Sequence, residues 1–203
     1  MKKLLLILST LFVLMFSVNT LAGVTLGNMG DLGPGATTTN PNAVSPPNSK
    51  AFGRSLDAWV EVYLRNLFDG VPNSARNVVF LPIIGESPFD IEVAPGKSFV
   101  LPIALWLGFP GDPELGTGNF FGDVTLDGQP IGVPNEDYYI GPTYVDPLIL
   151  DLVAFYEGLA MVIKPLTPGE HTIQLYSTIN VPEIGLMEFN NAWNITVLPA
   201  GQN

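Results

Sequence analysis

The sequence predicts a mainly β protein, an immunoglobulin-like or jelly-roll-like antiparallel β-sandwich with one N-terminal amphipathic helix. Prolines (19) and glycines (21) are spread between apolar runs along the 203 residues, which indicates many turns and short elements. Several of these runs alternate apolar and polar residues, as strands with one buried face do. There is no cysteine, so the apolar core and not disulfide bonds must stabilise the folded state.

The N-terminal segment predicts export. Two lysines precede an almost continuously apolar stretch at 4–18, and Thr20 and Ala22 put small residues where a signal peptidase cleaves. The apolar stretch is shorter than the ~20 residues that a transmembrane helix needs. We therefore expect residues 1–22 to be a signal peptide that is removed before Gly23. The product would be a secreted or periplasmic protein with no stable membrane anchor.

The acidic composition disfavours one class of partner. The predicted signal contains two of the eight basic residues and none of the nineteen acidic ones, so the remainder carries a formal charge of −13. Scattered basic residues do not form the Lys/Arg patch that binds nucleic-acid phosphates or anionic membrane surfaces. We therefore expect no nucleic-acid partner, and we interpret the excess charge as an aid to solubility.

The chain beyond the signal divides into a leader and one domain. Residues 23–50 are rich in Gly, Thr, Asn and Pro and contain few large apolar side chains, which predicts a flexible leader that can lie extended along the domain. Residues 51–203 are enough for a single β-sandwich domain that includes a helix at 55–69.

The helix at 55–69 is predicted from apolar residues that recur at helical spacing on one face. Ser55 is placed to cap its start, and Glu61 and Arg65 lie one turn apart on the polar side. Because that polar side is mixed in charge and not rich in Lys and Arg, we expect the apolar face to pack in the core, and not on a membrane or partner. The apolar residues are Leu56, Trp59, Val60, Tyr63, Leu64, Leu67 and Phe68.

Short strands are predicted from residue 77 onward. Asp127-Gly128 predicts a hairpin turn, and residues 94–97 predict another. The segment 147–157 could be a buried helix or a buried strand, because it is too uniformly apolar to show the period of either. The Asp-Pro pair at its start favours the helix. The predicted strands are 78–84, 89–93, 98–106, 120–126, 129–133, 159–166, 171–181 and 188–198.

His171 is the single histidine and the first residue to test as a catalytic base or metal ligand. A zinc site takes three or four His, Cys or carboxylate ligands, and no Gly-x-Ser-x-Gly motif supplies an activated serine for a triad. His171 follows the turn at 167–170 and shares a strand face with Ile173 and Leu175. We therefore predict a structural, neutral ring that faces the core and bonds to the backbone of the turn, and we assign no catalytic residue.

Four fragments in order resemble a group of uncharacterised secreted bacterial proteins. In that group a Pro-Asn leader and a tryptophan-bearing helix precede a β-domain that ends in a Leu-x-Pro-Gly-x-His-x-Ile turn and strand. The resemblance implies export and a β fold but no activity, and this chain has fewer tryptophans on the helix. The fragments are 46–59, 79–82, 95–103 and 166–173.

Carboxylates in the Gly-rich middle of the chain are the candidate metal ligands. Asp112, Glu114 and Asp123 supply oxygen ligands of the kind that calcium prefers, and calcium is the one cofactor that the sequence suggests. Their spacing does not match an EF-hand loop. Solvated loop acids are the alternative, because an acidic chain must place its carboxylates somewhere.

Aromatic residues of the same middle third are the candidate ligand-binding residues, because rings on sandwich loops can stack against sugars. Alternation along a strand would instead send one member of the Phe120-Phe121 pair to the core. The candidates are Trp106, Phe109, Phe121, Tyr138, Tyr139 and Tyr144.

Two functions fit these features. The first is an exported, noncatalytic β-sandwich module that binds a glycan, a cation or a protein through loops of its middle third. The alternative is a small secreted hydrolase that uses loop carboxylates as acid and base. An enzyme needs a concave pocket with convergent titratable groups, so the surroundings of the acids distinguish the two.

Overall fold

Two β-sheets packed face to face and one α-helix make up the protein, which we describe from a computed structural model. The structure describes residues 43–131 and 135–201. The predicted signal peptide and the predicted leader up to residue 42 lie outside the described residues. The predicted β-sandwich with one N-terminal helix is confirmed.

The strands form a four-stranded sheet I, in the order β1-β3-β7-β6, and a five-stranded sheet II, in the order β2-β9-β8-β4-β5. The helix is α1 (Leu56–Phe68), and short 3₁₀ turns lie at Ala51–Gly53, Thr117–Asn119 and Asn135–Tyr138. The strands are β1 (Val78–Phe80), β2 (Phe89–Val93), β3 (Ser98–Gly108), β4 (Phe120–Leu126), β5 (Gln129–Pro130), β6 (Tyr139–Ile149), β7 (Val153–Ile163), β8 (Gly169–Val181) and β9 (Gly185–Val197).

Each sheet pairs its central strands antiparallel and adds one parallel edge strand, β1 beside β3 and β2 beside β9. The hairpin predicted at 94–97 is wrong, because that turn carries the chain from sheet II to sheet I. β2 lies beside β9 because its apolar residues extend the buried face of β9. Phe89 stands opposite Trp193 with the two rings stacked 6.1 Å apart.

The helix favoured for 147–157 is also wrong, because the segment forms the turn of the β6–β7 hairpin and the start of β7. Leu150 and Asp151 both adopt positive φ, 53° and 56°, and so turn the chain. β7 lies between β3 and β6, with α1 on one side and sheet II on the other. A strand that is buried on both faces shows no alternation, which explains the missing period.

The apolar face of α1 packs on the outer face of sheet I, which confirms the predicted core role. Trp59 is 1 % exposed, and its Nε1 donates to the carbonyl of Ala51 at 2.7 Å. The Tyr63 hydroxyl donates to the carbonyl of Leu81 at 3.0 Å. These two bonds satisfy the polar ends of buried aromatic residues and fix the helix to the chain on either side of it.

The predicted polar features of α1 are present in part. Glu61 and Arg65 form an ion pair of 2.9 Å across one turn, as predicted. Ser55 occupies the N-cap position, but its side chain makes no capping hydrogen bond. No helix in the described ranges is long and apolar enough to cross a membrane.

The described end of the leader, residues 43–50, lies along sheet I. Val44 is 3 % exposed and pairs with Ile163 of β7. The pairing of β6 with β7 does not extend to Ile163. The amide of Ser45 donates to the carbonyl of Val162 at 2.9 Å. Residues 43–45 therefore lie along β7, and the chain then turns at residues 46–49, where the amide of Ser49 donates to the carbonyl of Pro46.

Candidate functional site

The edge of β3 that faces away from β7 is only partly covered. β1 pairs with residues 98–100, and the amide of Leu81 then donates to the carbonyl of Val100 at 3.1 Å. From Pro102 to Gly108, no strand of the described ranges pairs with this edge. Sheet I therefore ends in an open stretch of backbone, a feature that invites pairing with another strand.

Side chains on both faces of β3 border this open edge. The Tyr156 hydroxyl of β7 donates to the carbonyl of Asp57 in α1, so Tyr156 faces the helix. Leu107 stands opposite Tyr156 and shares its face, so Leu107 and Leu105 also face the helix. Ala104 stands opposite Leu159 on the face that meets sheet II. Successive side chains of β3 therefore line two different walls beside the same edge.

An apolar cavity of about 90 Å³ follows the open edge, and we call it the β3-edge cavity. One water needs only ~10–15 Å³, so this space is larger than a packing defect. Asn191 is the one lining residue with a polar side chain besides Trp106. The lining residues are Leu64, Phe68, Ile83, Pro102, Ile103, Ala104, Leu105, Trp106, Leu107, Phe109, Leu175, Ile179, Met187, Phe189 and Asn191.

Two buried polar atoms lie on the sheet II side of this region without a partner in the described chain. They are Nε1 of Trp106 and Oγ of Ser177. Trp106 is 9 % exposed and lines the cavity, and Ser177 is 0 % exposed and shares its strand face with Leu175 and Ile179, which also line it. A buried unpaired donor costs about 1–3 kcal/mol, so an oxygen of a bound molecule would stabilise Trp106.

Glu157, on β7, is a fully buried carboxylate that the sequence analysis did not single out. It accepts hydrogen bonds from the amides of Leu115 and Gly116 at 2.5 and 3.0 Å, and from the Tyr139 hydroxyl at 2.6 Å. These bonds hold the loop between β3 and β4 against sheet I. Burial, followed by the bond to Glu157, raises the pKa of Tyr139, so its hydroxyl stays a donor at neutral pH.

The six predicted aromatic residues do not form one cluster. Trp106 and Phe109 line the β3-edge cavity and are both buried. Tyr138 is buried and donates to the carbonyl of Ser45 at 3.0 Å, and Tyr139 bonds to Glu157. The cavity therefore contains only the first two.

Phe121 and Tyr144 are the exposed members of the predicted set, at 41 % and 67 % exposure. Phe121 contacts Tyr176 edge to face, with ring centroids 6.3 Å apart, while Phe120 is buried. The alternation predicted for the Phe120-Phe121 pair is confirmed. Tyr144 donates its hydroxyl to Glu114 at 2.5 Å.

The three predicted metal ligands have separate roles, although Asp112 and Glu114 lie in the same loop between β3 and β4. Asp112 accepts the amide of Phe109 at 2.9 Å, and Glu114 accepts Tyr144. Asp123 lies on β4, where burial raises the pKa of its carboxyl. Within the part of the chain that the structure describes, no group of three or more His, Asp or Glu side chains is placed to hold a metal ion.

His171 joins two turns. Its Nδ1 lies 2.8 Å from Oδ2 of Asp127 in the β4–β5 turn, and its Nε2 lies 2.9 Å from the carbonyl oxygen of Thr167. The other oxygen of Asp127 accepts the amide of Thr172 at 2.8 Å. The predicted bond to the turn backbone is present, and the side chain is 13 % exposed. The geometry favours a protonated ring over the predicted neutral one, because both ring nitrogens face acceptors and only the protonated ring donates to both.

Stability is expected to fall as the pH rises through the pKa of His171. Burial lowers that pKa, but the bonds to Asp127 and Thr167 and the charge of Asp127 raise it above its usual value of about 6.5. The stabilisation is therefore complete below about pH 6.5 and is lost as the pH passes the raised, folded-state pKa. Melting temperatures between about pH 5.5 and 9 should show this slope in the parent protein, and the slope should flatten in His171→Gln and Asp127→Asn. Equal slopes in all three proteins would contradict this role.

Comparison with models of known protein families and with curated proteins finds no match. Among solved structures, the chain resembles a cysteine protease inhibitor from Entamoeba histolytica, with 12 % identity and a TM-score of 0.29. The likeness covers 60 % of this chain and 94 % of the inhibitor. A TM-score of 0.29 is too low to assign a shared fold or function.

Proposed function

We propose that the protein is an exported, noncatalytic binding module whose ligand is an apolar segment of another protein. The observation that carries this proposal is the β3-edge cavity, where an open strand edge lies between two apolar walls. Binding sites are typically concave and mostly apolar, with a few polar groups that orient the ligand. Here Trp106 and Asn191 supply those groups.

The lining of the cavity favours a protein ligand over the other candidates. A glycan needs many hydrogen-bonding groups, and a cation needs six to eight oxygen ligands in the case of calcium. A hydrolase needs carboxyl groups that converge on the substrate, and no Asp or Glu lines this cavity. Buried carboxyl groups elsewhere, such as Glu157, are occupied by donors of the protein's own chain.

Peptide selection on the purified protein tests the proposal, with two neighbouring residues of β9 as a matched pair. Met187 lines the cavity, whereas Leu186 is 63 % exposed and lies outside its lining. Display libraries should yield peptides with apolar segments. Met187→Asp should weaken their binding by roughly tenfold or more, because a carboxylate would be buried against the ligand, and Leu186→Asp should leave it unchanged.

The predicted loop aromatics provide the opposing test. Phe121→Ala and Tyr144→Ala are expected to leave peptide affinity unchanged, because both side chains lie outside the cavity lining. The structure places these two residues on strands β4 and β6 and not on loops as predicted. A glycan array that gives specific binding, abolished by either of these variants, would instead place the function at these two side chains. Equal peptide binding by Met187→Asp and the parent protein would also contradict the proposal.

A further inference from the structure

We propose that the ligand adds to sheet I as a further strand along residues 102–108 of β3, and that its sequence is a continuous apolar run flanked by Lys or Arg. This inference rests on the proposed function and specifies the chemistry of the partner. It follows from the backbone of the open edge, from the two walls of the cavity, and from the charges at its rim.

The backbone defines the mode of binding. β1 pairs with the first residues of β3 and ends at Phe80. The β3-edge cavity lies along the same edge of β3, beyond the end of β1. The open edge spans residues 102–108, and the register shift between Pro102 and Ala104 leaves residues 104–108 as its regular part, about 15 Å of strand at ~3.3 Å per residue. An added strand with about five residues in the regular part would fill that length and bond to backbone groups of β3 that no strand of the described ranges pairs with.

The two walls define the ligand's side chains. One wall, towards α1, contains Leu64, Leu105 and Leu107, and the other, towards sheet II, contains Ile179 and Met187. Alternate side chains of an added strand would enter alternate walls. Because both walls are apolar, both sets of ligand side chains must be apolar, as in a central strand that is buried on both faces.

Charges near the cavity determine which residues should flank the apolar run of the ligand. Two acidic residues stand beside lining residues, Asp69 after Phe68 and Asp112 at the amide of Phe109. Glu188 follows Met187 but points to the outer face of sheet II, where it accepts the Tyr176 hydroxyl. No Lys or Arg lines the cavity.

The basic residue nearest to the lining in sequence is Arg65, beside Leu64. It forms ion pairs with Glu61 and Asp69. Basic flanks on the ligand would complement the net negative charge of this chain. A second copy of this chain, with a net charge of −11, would meet it with repulsion, so a basic-flanked partner is favoured.

Synthetic peptides test the inference. The probe is Lys-Lys-Val-Val-Leu-Val-Val-Lys-Lys, acetylated and amidated, and its matched control has glutamate in place of every lysine. Tryptophan fluorescence reports binding, because Trp106 lines the cavity. We expect the glutamate peptide to bind roughly tenfold or more weakly at low salt, with the difference shrinking as salt is added.

Backbone methylation then tests the strand mode. Two further peptides carry N-methyl groups on alternate residues of the apolar run, one peptide for each register. A strand bonds to β3 through every second amide, so one register should lose roughly tenfold or more in affinity and the other should lose little. Equal binding by both registers would overturn strand addition while leaving the proposed function standing, whereas no binding by any peptide would count against the proposed function itself.

Two other occupants of the cavity are outcomes of the same experiment. If removal of residues 23–42 raises the affinity for the lysine peptide by roughly tenfold, the leader of this chain is the occupant and the inference is wrong. If the protein sediments as a dimer that the lysine peptide dissociates, a second copy is the occupant and the inference is equally wrong. A monomer whose affinity is the same with and without the leader supports it.

Discussion

Replacing Glu157 with alanine is expected to destabilise the protein by about 3 to 5 kcal/mol, and to release the loop between β3 and β4. The substitution leaves three donors without an acceptor, namely the buried amide of Leu115 and the partly buried amide of Gly116 and hydroxyl of Tyr139. Each unsatisfied buried donor costs about 1 to 3 kcal/mol, and the loop relaxes enough to recover part of that sum. Urea unfolding measures the change.

Two variants separate the contributions of this carboxylate. Glu157→Gln keeps the shape and one acceptor oxygen, so it should lose less stability than Glu157→Ala. Tyr139→Phe removes one bond only and should cost about 1 to 2 kcal/mol. If Glu157→Ala unfolds at the same urea concentration as the parent protein, this carboxylate does not hold the loop.

Replacing Trp59 with alanine is expected to destabilise the protein by about 3 to 5 kcal/mol. The side chain is 1 % exposed at the centre of the face that α1 packs on sheet I, and its removal leaves a large cavity and breaks the hydrogen bond to the carbonyl of Ala51. Trp59→Phe keeps most of the volume and should lose less. Thermal unfolding followed by circular dichroism measures both.

A surface role for Trp59 makes the opposite prediction. In that case Trp59→Ala would keep the parent melting temperature and lose binding to a partner or peptide. That pair of results would move the binding surface from the β3-edge cavity to α1.

The features that could be predicted from sequence are those with one buried face. α1 shows its period because its other face meets water, and β9 alternates because Trp193 and Ile195 are buried while Asn194 faces solvent. The same rule correctly split Phe120 from Phe121. β6 was missed because Pro142 and Pro147 interrupt its apolar pattern. Of β7 only the second half was predicted, within the strand at 159–166, because β7 is buried on both faces and carries no period.

The contacts of the site depend on partners that are far apart in the chain, which a local pattern does not reveal. Glu157 bonds to Leu115 and Gly116, more than forty residues earlier, and Asp127 lies 44 residues before His171. A single acidic residue inside the apolar run at 153–163 was the available signal for Glu157, because a buried carboxylate requires donors around it.

The sequence analysis identified only part of the lining of the β3-edge cavity. Trp106 and Phe109 were selected as aromatic ligand-binding residues, and both line it. The open edge itself follows from the length of β1, which stops after three residues where β3 continues to Gly108. No local sequence pattern indicates how far a neighbouring strand extends. The open edge could therefore be identified only from the strand pairing in the structure.

Amide hydrogen exchange of β3, with and without the lysine-flanked apolar peptide, tests the central claim most directly. If the ligand adds as a strand, alternate amides between Ile103 and Gly108 should gain protection at saturating peptide, because each then donates to a ligand carbonyl. The amides around Phe121 and Tyr144 should not change. Saturated binding that protects the amides around Phe121 in β4 or Tyr144 in β6, and leaves the edge of β3 exchanging as in the free protein, would contradict the account.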